Sequence, residues 1–235
     1  MSFDALAIGA HPDDVELGCG GTLIGLVDRG YRVGLVDLTD SRLSTRGEPK
    51  TRMKEADDAA RIIGAAERFQ LGFQEGSIQS GHGNLEALVA LLRRTRPQVV
   101  LAPYWEDRHP DHVDTSRLVQ SACFWAGVPR YGVRDSPHRL VYYFSHWVGL
   151  VSQVVDVSAA FDRKMQAVRA YRSQFQTESS GEAATFISQP EFLEGVISRA
   201  RNYGSLIGAE YGEPFHVREM NRTDDLIAWA RSQGA

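Results

Sequence analysis

Short apolar runs alternate along this chain with segments of helical periodicity, and that alternation leaves few folds open. Ala5–Gly9 reads as a strand, residues 22–29 as a helix closed by Gly30, and residues 33–38 as a second strand. Pro49 opens a helix that runs to Ile63, with Met53, Ala56, Ala60 and Ile63 at helical spacing and Gly64 as its stop. Residues 68–71 form a short strand and 85–94 a helix. "PQVVLAPY" is a buried strand rich in β-branched residues. A helix over 114–125 and a strand over 140–144 follow. Strands and helices in this order predict the α/β class: a Rossmann-like, mostly parallel sheet flanked by helices on both faces. The last third reads as a helical elaboration, over 158–175 and 190–207, with a Gly/Ser/Glu-rich loop at 178–182 between the two. No repeat or linker interrupts the chain, so one domain over residues 1–235 is expected.

Composition narrows the partners. The 235 residues carry 26 basic and 30 acidic side chains, a formal charge of −4, which speaks against a general nucleic-acid binder. A local excess of cations, Arg42, Arg46, Lys50, Arg52 and Lys54 against Glu48, stands out from that background. Two cysteines, Cys19 and Cys123, make no disulfide framework and suit a reducing compartment. The chain shows no leader pattern and no apolar run near the roughly 20 residues that span a bilayer. A cytoplasmic protein that engages no membrane is the expectation.

In an open parallel sheet, ligands collect at the carboxyl ends of the strands. Two segments there are dense in ligand-type side chains: "AHPDD" after the first strand and "EDRHPDH" after the strand at 99–103. The glycines of "GAHPDDVELGCGG" invite a nucleotide reading. However, Gly18-Cys19-Gly20-Gly21-Thr22-Leu23 lacks the third glycine of the dinucleotide fingerprint, and Asp13, Asp14 and Glu16 would repel a pyrophosphate. The metal reading fits better. His11 and Asp14, three apart in a turn stiffened by Pro12, can reach one ion, and a third ligand comes from His109 or His112. Two histidines, one carboxylate and an open position make a catalytic zinc site. Iron(II) oxygenases use the same donors, so the ligands alone do not fix the metal, and Zn2+ and Fe2+ are both candidates. A lone His-Pro-Asp is ordinarily a helix-capping turn. Two such strings after two strands of one sheet point to a site.

"AHPDDVELGCGGTL", "LT…TRG", Arg52-x-x-Glu55, "DRHPDH" and a late "YGEPF" resemble the PIG-L-type zinc-dependent deacetylases, and within them the bacterial deacetylases of bacillithiol biosynthesis. The matches run in order from residue 6 to about 216. The resemblance implies deacetylation of an N-acetylglucosamine unit, with N-acetylglucosaminyl malate as the typical substrate, and a homo-oligomer. It implies a metal on His11, Asp14 and His112, with Asp13 as general base and His109 as acid or electrophile oriented by Asp111. The chemistry is coherent. Zinc lowers the pKa of bound water to roughly 7, a neighbouring carboxylate moves the remaining proton, and a histidine stabilises the oxyanion. Asp40-Ser41-Arg42 departs from the Gly-Glu that many relatives carry, a change that bears on the substrate rather than the reaction.

Arg42, Arg46, Arg52 and Arg108 are candidates for a rim that binds a carboxylated aglycone; Arg52 could instead pair with Glu55 one turn on. Tyr203 is a candidate for the acyl pocket and Trp105 for the sugar wall. His216 reads as structural, Cys19 as packed among glycines, and His82 and His146, without acidic neighbours in sequence, as loop or core residues. Two other functions stay open: a deacetylase of another N-acetylated sugar or small amide, and a metal-containing sugar-binding module without catalysis.

Overall fold

The computed structural model describes residues 2–79, 81–129, 137, 139–175, 183–219 and 225. Seven strands form one sheet: β1 (Ala5–Gly9), β2 (Val33–Thr39), β3 (Glu67–Phe73), β4 (Val99–Pro103), β5 (Arg139–Tyr143), β6 (Gln153–Asp156) and β7 (Gly212–Val217), in the order β3-β2-β1-β4-β5-β7-β6. The first five run parallel, with Ala5 opposite both Val33 and Val99. β7 is antiparallel to β5 and β6. The C-terminal elaboration is therefore helices plus two strands that widen the sheet. The expected loop at 178–182 lies outside the described residues.

The helices are α1 (Asp14–Asp28), α2 (Pro49–Ile63), α3 (Asn84–Thr95), α4 (Pro110–Ala126), α5 (Phe161–Arg169), α6 (Arg172–Phe175) and α7 (Pro190–Leu206). Alternation along β1 sorts them: Ala5 and Ala7 face a core shared with α1, α2 and α5, while Leu6 and Ile8 face one shared with α3 and α4. α2 has the expected ends, Pro49 at its start and Gly64 left-handed (φ 86°) at its close. Met53, expected on its apolar face, is exposed.

α1 differs most from expectation. It begins at Asp14 rather than residue 22, and Cys19 (φ −144°, ψ 15°) breaks its helical geometry. The glycines thus lie inside the helix rather than in a turn before it. They permit close approach: a Cβ on Gly18 would stand 2.2 Å from the Tyr143 ring, and one on Gly21 2.9 Å from Val157. A buried ion pair splints the break. Lys164 Nζ donates to the Leu17 carbonyl (2.9 Å) and to Glu213 Oε1 (2.6 Å), while Glu213 accepts the backbone N–H of Gly21 (2.9 Å) and of Thr22 (2.7 Å). Glu213 thereby caps the second half of α1 from β7.

The strand order reverses between β1 and β4, whose parallel neighbours lead away in opposite directions. At such a switch point the following loops diverge and leave a crevice. The β1–α1 turn and the β4–α4 loop meet there.

Candidate metal centre and cavity

Asp13 takes φ 112°, in the left-handed region that costs a non-glycine residue of order 1–3 kcal/mol. This turn sends adjacent carboxylates to different places. Asp14, first residue of α1, accepts the His11 backbone N–H (2.9 Å) and lies 3.5 Å from His11 Nδ1 and 3.1 Å from His112 Nε2. Asp13 instead meets the guanidinium of Arg52, at 3.1 Å, which also donates to the Pro12 carbonyl. Arg52 is buried, and Glu55 pairs with the Ser173 backbone N–H and hydroxyl (2.7 and 2.6 Å) rather than with it. Burial lifts the Asp13 carboxyl to about 7 against the pull of Arg52.

α4 brings the other histidines. His109 caps it, its Nδ1 accepting the Asp111 backbone N–H at 3.2 Å, and Pro110 follows at the first helical position. With Nδ1 occupied as an acceptor, the neutral ring carries its proton on Nε2. Burial and the neighbouring His11 and His112 push His109 down to about 4. Asp111, expected to orient His109, meets that ring with its backbone N–H and not with its carboxylate. The Asp111 carboxylate turns to His11 Nε2 (3.2 Å) and to the Gly76 N–H (2.8 Å).

Each of the two outer histidines therefore has a carboxylate at its far nitrogen: Asp111 hydrogen-bonds His11 Nε2, and Asp107 stands 3.1 Å from His112 Nδ1 as an ion-pair contact outside hydrogen-bond geometry. Burial alone would depress both imidazoles. The carboxylates outweigh it, raising His11 to about 9 and His112 to about 10. Asp14 is held well below the usual carboxylate range, since the two imidazoles outweigh its burial. Negative charge in excess of protein cations is what a divalent ion neutralises, displacing protons as it binds. Donors about 2.1 Å from a tetrahedral ion stand about 3.4 Å apart; Asp14 approaches its two histidines at similar distances but with different oxygens, Oδ2 to His11 (3.5 Å) and Oδ1 to His112 (3.1 Å). Imidazole and carboxylate donors suit a divalent transition ion, zinc and iron(II) alike. His11, His109 and His112 also present ring nitrogens within 4.8 Å of one another, as do the ligating atoms of Asp107, His112 and His146 and of His11, Glu75 and Asp111.

All of these groups except Asp107 line a cavity of about 460 Å³, together with Arg52, Arg108, Ser41 and Gln174. A second cavity of about 580 Å³ adjoins it, sharing Arg108, Ser145, His146, Phe186 and Phe192 and adding Trp147, Glu191 and Arg199. Other expected rim residues lie elsewhere. Arg46 is buried and its guanidinium donates to the carbonyls of Ser173 (2.9 Å) and Ala183 (3.5 Å). Arg42 is paired with Asp40 outside the cavity wall. Tyr203, on α7, lines neither cavity. Trp105 stacks on Tyr104 (3.9 Å) away from both, and His216 is buried beside it.

Three residues at the site escaped the sequence reading. Asp107 stands inside "DRHPDH", but nothing in the string assigns it to His112. Glu75, on the loop after β3, lies 3.7 Å from His11 Nε2. His146, read as lacking an acid, has Asp107 at 2.9 Å, a partner 39 positions away that only the fold supplies.

Known proteins share this arrangement of chain. The profile of the PIG-L family, described as GlcNAc-PI de-N-acetylase, matches residues 6–123. The diacetylchitobiose deacetylase of Thermococcus kodakarensis is 31% identical over 88% of this chain and 80% of its own. A Bacillus cereus protein described as a probable N-acetyl-alpha-D-glucosaminyl L-malate deacetylase is 27% identical over 74% of this chain and 84% of its own. The crystal structure of a conserved protein from Thermus thermophilus superposes with a TM-score of 0.85 at 36% identity, covering 94% of this chain and 98% of that one. With its two histidine motifs at the switch point of the sheet, the chain belongs to the PIG-L family of de-N-acetylases.

Proposed function

We propose that this protein is a metal-dependent N-deacetylase of a small N-acetylglucosamine-containing substrate, with His11, Asp14 and His112 as ligands and Asp13 as general base. One observation carries the reading: a His-Asp-His donor set shares a cavity with a neighbouring buried carboxylate that the backbone turns away from it. Bound there, Zn2+ or Fe2+ supplies Lewis acidity and lowers the pKa of water to roughly 7. Asp13, clamped by Arg52, takes the proton of the attacking water and returns it to the departing amine nitrogen. His109 donates its Nε2–H to the amide oxygen as negative charge develops, and the Asp111 backbone N–H keeps that tautomer in place.

The aglycone depends on the rim. Of the four arginines expected there, Arg108 keeps a place at both cavities, and it is the residue that a malate carboxylate would meet. A neutral second sugar is the other reading. It is favoured by the engagement of Arg42, Arg46 and Arg52 elsewhere and by the exposed Trp147 and Phe186 at the outer cavity. A homo-oligomer and a cytoplasmic location belong to the same proposal; sedimentation tests the first. Among the described residues no helix is long and apolar enough to cross a membrane.

The test is amine release from N-acetylglucosaminyl malate, N,N'-diacetylchitobiose and N-acetylglucosamine, with and without added zinc. Release that depends on metal supports the reading, and the preferred compound identifies the aglycone. Metal-loaded protein that releases amine from none of them overturns it.

A further inference from the structure

We propose that His146 is a positioning residue for the metal centre: it holds the Asp107 carboxylate, which in turn holds His112 with Nε2 facing Asp14. The inference rests on the metal reading above and extends it to a residue on the loop after β5.

The geometry is specific. Asp107 Oδ1 lies 2.9 Å from His146 Nδ1 and 3.1 Å from His112 Nδ1, and it accepts the His109 backbone N–H at 2.9 Å. Asp107 Oδ2 accepts the His146 backbone N–H at 3.0 Å. Both oxygens are thus engaged, and the carboxylate cannot rotate without giving up contacts to β5's loop. The His146 ring also lies nearly parallel to that of His112, with centroids 5.3 Å apart and an 18° tilt.

A ligating histidine presents its lone pair reliably when its other nitrogen is protonated and held by an acceptor; loss of such an outer partner typically weakens metal binding about 10–100-fold. The two ligating histidines obtain that acceptor differently. Asp111, behind His11, is itself fixed by the Gly76 backbone N–H. Asp107, behind His112, is held by the backbone N–H groups of His109 and His146 and, in addition, by the His146 side chain. A side-chain substitution can therefore loosen the His112 half of the site while leaving the His11 half intact. The alternative role for His146 is a cavity wall, since it lines both cavities. A wall residue would alter substrate KM and leave metal affinity alone.

Two variants separate the hydrogen bond from the ring. H146F keeps an aromatic ring against His112 and loses the nitrogen. H146N loses the ring and keeps an N–H that can reach Asp107. The readout is Zn2+ affinity of the full chain by competition with a chromophoric chelator at fixed pH, with the melting temperature of the metal-free protein measured alongside. H146F, which leaves Asp107 its two backbone hydrogen bonds, is expected to bind Zn2+ more weakly by up to about 10-fold, the low end for loss of an outer partner, H146N to recover most of that loss, and the metal-free melting temperature to follow neither. In a D107N background, H146F should add little, because the path runs through Asp107. Wild-type affinity in H146F, or a full additional loss in the D107N background, overturns the inference while leaving the deacetylase reading standing. So does weaker binding by H146N than by H146F. A wild-type protein that binds no divalent metal overturns both.

Discussion

Replacing Gly18 with alanine should destabilise the protein even though it puts a better helix former into a helix. In an open helical position the exchange gains roughly 0.5–1 kcal/mol. At Gly18 the new Cβ would stand 2.2 Å from Tyr143 Cδ2 and 2.6 Å from Cε2. Carbon atoms are comfortable at about 3.5 Å or more, so ring and helix must separate by about 1.3 Å. Tyr143 is fully buried and its hydroxyl donates to the Ile8 carbonyl at 2.9 Å, at the end of the strand that leads to His11. Overpacking costs about 1–3 kcal/mol, and a strained or broken buried hydrogen bond adds to it. The helix-propensity gain does not offset that, and a net loss of roughly 1–4 kcal/mol is expected. At about 2–4 °C per kcal/mol for a chain of this length, melting should fall by several degrees. Gly195→Ala is the matched control, since that helical glycine has nothing within 4 Å of an added Cβ, and it should raise stability by roughly 0.5–1 kcal/mol. Urea unfolding of both variants beside the wild type decides the matter. G18A as stable as the wild type would refute the close contact between α1 and β5.

Asp13→Asn should lower turnover about 10²–10⁴-fold with metal content unchanged, whereas His11→Ala should lose metal and activity together; metal analysis and amine release on the same samples check both. Lys164→Met strands a buried carboxylate and the Leu17 carbonyl, and should cost about 3–5 kcal/mol in urea unfolding; a loss below about 1 kcal/mol would mean the pair is dispensable. Burial pushes the Cys123 thiol up to about 12 and Cys19 well above its ordinary range, so neither is a thiolate at pH 8. A thiol-specific reagent should therefore label neither cysteine in the native protein and both in denaturant.

The parallel half of the sheet was legible because its signals are local. β1 and α2 occupy the expected residues, one a continuous apolar run and the other bracketed by Pro49 and Gly64. β6 and β7 were not, since "QVVD" is short and "GEPFHV" contains Gly, Glu and Pro, a composition that reads as loop. Their pairing with each other and with β5 is a tertiary fact. α1 began earlier than its apolar periodicity because glycine scores poorly in a helix unless a neighbour needs the space, as Tyr143 and Val157 do. At the site, the placement of two histidine strings after two strands was readable. Arg46 and Arg52 show the limit: charge near a site announces neither a ligand contact nor a scaffold tie, and here Arg52 secures Asp13 while Arg46 secures a loop. His146 and Asp107 find each other only after β4 and β5 are laid side by side.

The Glu213 cap on α1 spans a separation of 192 residues. The helix that begins with Asp14 is thus finished by a side chain that is made long after it, and the cap over its break at Cys19 comes from β7. During synthesis the first part of the chain can pair β1 with β2, yet the Gly21 and Thr22 N–H groups wait for β7. A nascent chain that stops short of residue 213 should be soft around His11 and Asp14, and competence to hold a metal should arrive abruptly, once β7 has been made. Timing, as much as geometry, is written into that carboxylate.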